Sequence, residues 1–142
     1  MKKTVIFLIL AFIAIQFIPM KKTNPAVDEA INLQAPTEVT SILKRACYDC
    51  HSFETKWPSY SDIAPISWSV IGHVNDGRKA FNFSTWKEIP KEIKSKRLKR
   101  AIKTINNGMM PLPNYVKFHD EAILSDGDKK ILVDWCNEEL VK

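Results

Sequence analysis

The chain has 142 residues and a hydrophobic content of 45%, enough for one domain built on one core. Its formal net charge of +5 is local in origin: Lys2, Lys3, Lys21 and Lys22 bracket an apolar run, and without them 17 Lys and Arg face 16 Asp and Glu. A nearly neutral remainder with no interleaving of aromatic and basic residues excludes nucleic-acid binding as the organising function.

Met1-Lys2-Lys3 leads into an apolar run from Thr4 to Ile18 broken at Gln16. A run of this length suits a secretory signal or a short membrane anchor, since full spans take roughly 17 to 25 residues. No small-x-small cleavage site follows, and bulky Phe17, Ile18 and Met20 stand where one belongs. Residues 1–22 therefore read as an uncleaved anchor in the inner membrane, with the rest of the chain in the periplasm by the positive-inside rule; release to the periplasm after cleavage is the alternative. Residues 23–36 carry two prolines and no sustained period, as a linker would. Residues 37–142 are left as the domain.

A helix is expected from Thr37, with Thr37 as N-cap, Glu38 in the first turn, and Val39, Ile42, Leu43 and Ala46 as its apolar stripe. It delivers Cys47-Tyr48-Asp49-Cys50-His51 at its end. C-x-x-C-H reads as a c-type haem attachment site: the Cys47 and Cys50 sulfurs form thioethers with the two vinyl groups, and His51 offers its imidazole to the iron. Cysteines three apart lie on one side of a helical turn, so both reach one edge of the ring. With three Cys and three His in the chain, chance produces this motif about once in a thousand shuffled sequences. A zinc site would want a second ligand pair, whereas Cys136, His73 and His119 are scattered singles. A thioredoxin-like dithiol would want a βαβ setting, and no strand-helix-strand alternation surrounds Cys47.

Between Ser52 and Trp86 lie Trp57, Trp68 and Trp86 with Phe53, Tyr60, Phe81 and Phe83. Such density suits walls around a large flat apolar ligand, a reading that overlaps with an ordinary aromatic core. Trp57, Tyr60 and Trp68 are the pocket residues this suggests. A helix is expected from Pro65 to about Asn75, ended by Asn75-Asp76-Gly77. Arg78 then follows as a bidentate partner for a haem propionate, or equally as a solvated arginine. His73 on that helix is a rival second axial ligand, with a structural or propionate hydrogen bond as its plainer role.

From Lys87 to Lys103 the chain is basic and amphipathic, with Pro90 in the first helical turn, Ile93, Leu98, Ala101, Ile102 and Ile105 on the buried face, and Gly108 as the cap. Charge runs are usually solvated helix faces. The sharper reading is a docking patch, through Lys91, Lys94, Arg97 and Arg100, for an acidic redox partner or anionic lipid. In Gly108-Met109-Met110-Pro111-Leu112-Pro113, a thioether suits haem iron opposite histidine, and prolines stiffen the loop that presents it. Met110 is the expected distal ligand and Met109 its rival, with ordinary core packing as the plain alternative. Ser125 with Asp128 starts a closing helix in capping-box style, bearing Ile131, Leu132, Trp135, Cys136 and Leu140 and packing on the first. Cys136 reads as a buried free thiol, with intermolecular pairing the rarer option, and His119 as a solvent-facing or capping group.

The order of helix, C-x-x-C-H, late methionine loop and C-terminal helix resembles class I cytochrome c. Trp57-Pro58-Ser59-Tyr60, Ala64-Pro65-Ile66-Ser67-Trp68 and His73-Val74-Asn75-Asp76-Gly77-Arg78, followed by Asn82-Phe83-Ser84-x-Trp86 and Met110-Pro111-Leu112 with Tyr115, resemble more closely the small exported haem-binding domain proteins of bacteria. That resemblance covers about residues 38 to 140 and implies a c-type haem protein on the outer side of the inner membrane, without implying a defined reaction. The doubled methionine departs from the single residue usual there. The expectation is an all-α, cytochrome c-like domain around one covalently bound haem c, preceded by an N-terminal hydrophobic helix. It would transfer single electrons with a redox protein or membrane complex rather than act as an enzyme. The contrasting reading is a haem-based sensor or peroxidase-like protein whose distal ligand is displaceable.

Overall fold

The computed structural model describes residues 1–18 and 20–142, and among these the secondary structure is helical, with no strand. Seven α-helices follow in order: α1 (Lys2–Ile15), α2 (Thr37–Ala46), α3 (Tyr48–His51), α4 (Ile66–Ala80), α5 (Lys91–Asn106), α6 (Pro113–Val116) and α7 (Asp126–Val141). Short 3-10 turns at Ser59–Asp62, Phe83–Glu88 and Asp120–Ala122 join them.

The core is where α2, α5 and α7 meet. Val39, Ile42, Leu43 and Ala46 recur at helical spacing on α2 and are all buried; the first three join one cluster with Leu98 and Ile105 of α5 and Leu132, Trp135 and Cys136 of α7, while Ala46 lines a cavity with Cys47 and Cys50. Burying a leucine or isoleucine side chain contributes about 1.5 to 3 kcal/mol, so this three-helix seam carries much of the stability. The closing helix packs on α5 as well as on α2. Its capping box is complete: Ser125 Oγ accepts from the Asp128 amide at 3.1 Å, and the Asp128 carboxylate accepts from the Ser125 amide at 2.8 Å. Gly108 sits at φ +69° just past the end of α5, the left-handed cap expected of it.

Aromatic rings extend the core toward the motif. Tyr48 stacks on Phe83 at 5.1 Å, Phe81 meets Trp86 edge-on at 5.0 Å, and Trp86 lies 5.4 Å from Trp135. Such contacts add about 0.5 to 1.5 kcal/mol each beyond burial. Phe81, Phe83 and Trp86 are thus core residues behind His51, whose ring lies 6.2 Å from that of Phe83.

Thr37 is the first residue of α2, with Pro36 and not Thr37 as its N-cap, and two larger expectations are also corrected. The expected stop at Asn75-Asp76-Gly77 does not occur, and α4 runs to Ala80. Gly77 is glycine for another reason: a Cβ there would fall 2.4 Å from the Cys50 carbonyl oxygen, so it lets α4 lie directly against α3.

The membrane anchor is the second. α1 has 14 residues, about 21 Å of helix against a hydrocarbon layer of roughly 30 Å, and among the described residues no helix is long and apolar enough to cross a membrane. The inner-membrane location inferred from an anchor falls with it. Gln16, which breaks the apolar run, caps α1 and binds the domain: its side-chain oxygen accepts from the Ala64 amide at 2.9 Å and its nitrogen donates to the Ala64 carbonyl at 3.1 Å. Lys22 pairs with Asp62. Pro19, part of the expected anchor, lies outside the described residues.

Residues 23–36, expected to form a tether, are hydrogen-bonded to the domain. The Asn24 side chain donates to the Thr55 carbonyl at 2.8 Å, the Leu33 amide to that of Phe83 at 2.9 Å, and the Lys87 amide to that of Ile31 at 3.0 Å.

Candidate metal centre

α2 stops at Ala46, and Cys47 is the residue at which the chain turns into the single turn of α3. The Cys47 carbonyl accepts from the amides of Cys50 at 3.2 Å and His51 at 2.9 Å, so both cysteines belong to one turn. Around it opens a cavity of about 230 Å³ lined by Cys47, Cys50 and His51 on one side, by His73, Asp76, Gly77 and Ala80 of α4, and by Arg100, Met110, Pro111, Leu112 and Tyr115 beyond. A second cavity of about 190 Å³ adjoins it. Asp49, Cys50, His73, Leu112 and Tyr115 belong to both walls. Together they form a cleft on the scale of cofactor sites, about 300 to 1,000 Å³.

His51 Nδ1 lies 2.9 Å from the Phe81 carbonyl oxygen. A carbonyl can only accept, so the proton sits on Nδ1 and the Nε2 lone pair is left for a metal. Burial lowers the His51 pKa and favours the neutral, ligating form. Burial also pushes the thiols up, Cys47 to about 12 and Cys50 to about 11, so both are held as S–H rather than thiolate. They are free, as is buried Cys136.

Of the two methionines, Met110 lines the cleft. Met109 is 57% exposed, and its sulfur accepts from the Asn107 side-chain amide at 3.3 Å. One carbonyl, that of Thr104 on α5, accepts from the amides of both Met109 (2.9 Å) and Met110 (3.0 Å) and hooks the loop to the helix.

Other expected site residues lie elsewhere. Among the residues proposed as aromatic walls, Tyr60 borders the second cavity, whereas Trp57 and Trp68 line neither. The Trp68 indole donates to the Ile18 carbonyl at 3.4 Å, and Lys22 sits 5.9 Å over the Trp57 ring. Arg78 also lines neither cavity. Its guanidinium donates to the carbonyls of Ser52 (2.7 Å) and Thr23 (2.8 Å) and to the side chains of Thr55 (2.9 Å) and Asn24 (3.0 Å), so its fork is occupied in tying the segment before α2 to the loop after the motif.

Residues that periodicity did not single out complete the site. Asp49, inside the motif, accepts from Tyr115 Oη at 2.7 Å and from the Lys56 amide at 2.9 Å. Tyr115 stacks on His119 at 4.1 Å, and Tyr60 Oη lies 2.9 Å from His119 Nε2. His119, expected at the surface, therefore helps to close the second cavity. Arg100, expected as a docking residue, is also a cleft residue. The spacing of these groups along the chain carries no signal of their meeting.

Among the described residues no cluster of three or more His, Cys, Asp or Glu is placed to hold a metal ion, which leaves the zinc reading without ligands. The absence of strands among them removes the thioredoxin-like setting. A family model described as "Haem-binding domain" matches residues 10–138. The chain belongs to the haem-binding domain family. Searches of curated proteins and of solved structures found no match. The match spans the whole cleft, from Ala46 to Tyr115, and begins within α1.

The donor set fits the group that the family binds. Two free thiols, a neutral imidazole with its outer nitrogen tied back, and a thioether border one cleft with apolar lining from Ala46, Ala80, Pro111 and Leu112.

Proposed function

We propose that this haem-binding domain is a monohaem c-type cytochrome-like protein that transfers single electrons. Cys47 and Cys50 would hold the haem covalently, His51 would be its proximal ligand and Met110 its distal one. What supports this reading above all is the convergence of the C-x-x-C-H turn with Met110, and not Met109, on one cleft.

When bound, the haem would supply an iron able to cycle between Fe(II) and Fe(III). Cys47 and Cys50, both free, would hold the haem through thioethers, each S–H adding across one vinyl double bond, sulfur to one carbon and hydrogen to the other, with no net electron transfer. The chain's own residues do the rest. The Phe81 carbonyl fixes the tautomer and plane of His51. The Thr104 carbonyl fixes the methionine loop, and a preorganised ligand pair keeps reorganisation on electron gain and loss small. Tyr115, Asp49 and Leu112 line both cavities, and the Tyr115 hydroxyl donates to Asp49 at 2.7 Å.

Intact mass of the protein made in a cell equipped for haem attachment should exceed the polypeptide by one haem, and Cys47→Ala with Cys50→Ala should abolish the increase. Bare polypeptide mass would overturn covalent attachment. In the ferrous state the native protein should resist CO, Met110→Ala should bind it readily, and Met109→Ala should behave as native. Ready CO binding by the native protein would instead favour the sensor or peroxidase-like reading.

A further inference from the structure

Eight basic side chains lie between Lys87 and Lys103, and the structure divides those on α5 by what they already do. Lys91 donates to the Lys142 carbonyl at 3.0 Å, Arg97 donates to that of Lys79 at 2.9 Å, and Lys94 lies 4.8 Å over the Trp86 ring. Three of the four residues expected to dock a partner are thus used within the fold. Lys96, Lys99, Arg100 and Lys103 remain, all exposed and with no side-chain hydrogen bond or ion pair among the described residues.

These four recur at i, i+3, i+4 and i+7, so they share one face of α5, opposite buried Leu98 and Ile105. The stripe is about 10 Å long. Like charges at such spacing repel by a few tenths of a kcal/mol per pair; Glu92, one turn before Lys96, is the one acidic residue of α5 on that face, and among the described residues it forms no ion pair with the four. The stripe also has a direction. Arg100 borders the cleft, and one turn on Thr104 holds the loop of Met109, whose apolar side chain is exposed beside the cleft.

We propose that the face formed by Lys96, Lys99, Arg100 and Lys103, with Met109 at its end, docks an acidic surface of another redox protein and brings it to the mouth of the cleft. The inference rests on the electron-transfer reading and names the partner's chemistry. A protein is favoured over a lipid surface because the stripe includes Arg100, which borders the cleft that would hold the haem.

The haem-loaded protein in the ferrous state is mixed with an anionic oxidant, hexacyanoferrate(III), or a cationic one, tris(phenanthroline)cobalt(III). Lys96→Glu/Lys99→Glu/Lys103→Glu is compared with a control on α7, Lys129→Glu/Lys130→Glu/Lys142→Glu, which changes net charge equally and borders neither cavity. Arg100 is left intact because it borders the cleft. At low ionic strength the stripe variant should react about tenfold more slowly with hexacyanoferrate and faster with the cobalt complex, while the control changes by less than about twofold. The contrast should fade as salt shortens the screening length toward about 3 Å.

Equal effects from the two triple variants would overturn the docking face. So would unchanged rates with loss of sedimentation on phosphatidylglycerol vesicles, which would mark a lipid-binding surface. A haem-loaded native protein that neither oxidant oxidises would overturn the electron-transfer reading, and the docking proposal with it.

Discussion

Gly77→Ala separates two roles of a helical glycine. In a helix interior the exchange normally gains about 1 kcal/mol, because alanine loses less backbone entropy on folding. At Gly77 the new Cβ would lie 2.4 Å from the Cys50 oxygen and 3.0 Å from its carbonyl carbon and Cβ. Ordinary contact begins near 3.4 Å, so α3 and α4 must part by about 1 Å, because the nearest atoms met are Cys50 backbone and cannot swing aside. Overpacking of that kind costs about 1 to 3 kcal/mol, and parting the helices also stretches the 2.7 Å bond from Arg78 to the Ser52 carbonyl. The net expectation is a loss of about 1 to 2 kcal/mol, a melting point lower by roughly 3 to 7 °C, and poorer haem incorporation as Cys50 shifts. Gly72, also on α4, has nothing within 4 Å of its Cβ position, so Gly72→Ala should stabilise by about 0.4 to 1 kcal/mol. Thermal unfolding followed by circular dichroism reads both. If the two alanines shift the melting point in the same direction, the close contact between α3 and α4 is not what selects Gly77.

Arg78→Lys keeps the charge and loses the fork, so it should cost about 2 kcal/mol and speed proteolysis within residues 20–36. The haem midpoint potential should stay unchanged, whereas a propionate partner would move it. Arg45 clamps α2 to the start of α7: it pairs with Asp128 at 2.6 Å and donates to the carbonyls of Glu121 at 2.7 Å and Ile123 at 3.0 Å. Arg45, then Ser125, hold the Asp128 pKa down at about 2 from its ordinary 3.8. A depressed carboxylate contributes stability that is fully present above about pH 4 and lost as pH falls toward 2, so Asp128→Asn should flatten the urea midpoint across that window. An unchanged acid limb would refute the clamp.

Local signals in the sequence were reliable where the physics acts within a turn or two. The stripe Val39, Ile42, Leu43 and Ala46 needs only helical spacing to define a buried face, and Ser125 with Asp128 needs three residues to close a capping box. Gly108 needs only its own backbone to take the left-handed cap. The C-x-x-C-H segment was legible as a turn for the same reason, since the Cys47 carbonyl closes it on the amides of Cys50 and His51 within five consecutive residues.

What only the tertiary structure decided concerns partners distant along the chain. Gly77 looks like a helix stop until Cys50 is placed against it, and Arg78 looks like a ligand for an anion until Thr23, Asn24, Ser52 and Thr55 take its donors. Adjacent methionines are indistinguishable by type and spacing. The turn after Gly108 sends Met109 outward and Met110 into the cleft. The basic run reads as one patch in sequence and becomes two populations once Lys79, Trp86 and Lys142 occupy three of its cations. Sequence determines which groups are present and which helical face carries them. Folding determines which of their hydrogen bonds and charges are already spent, because those partners arrive from other helices.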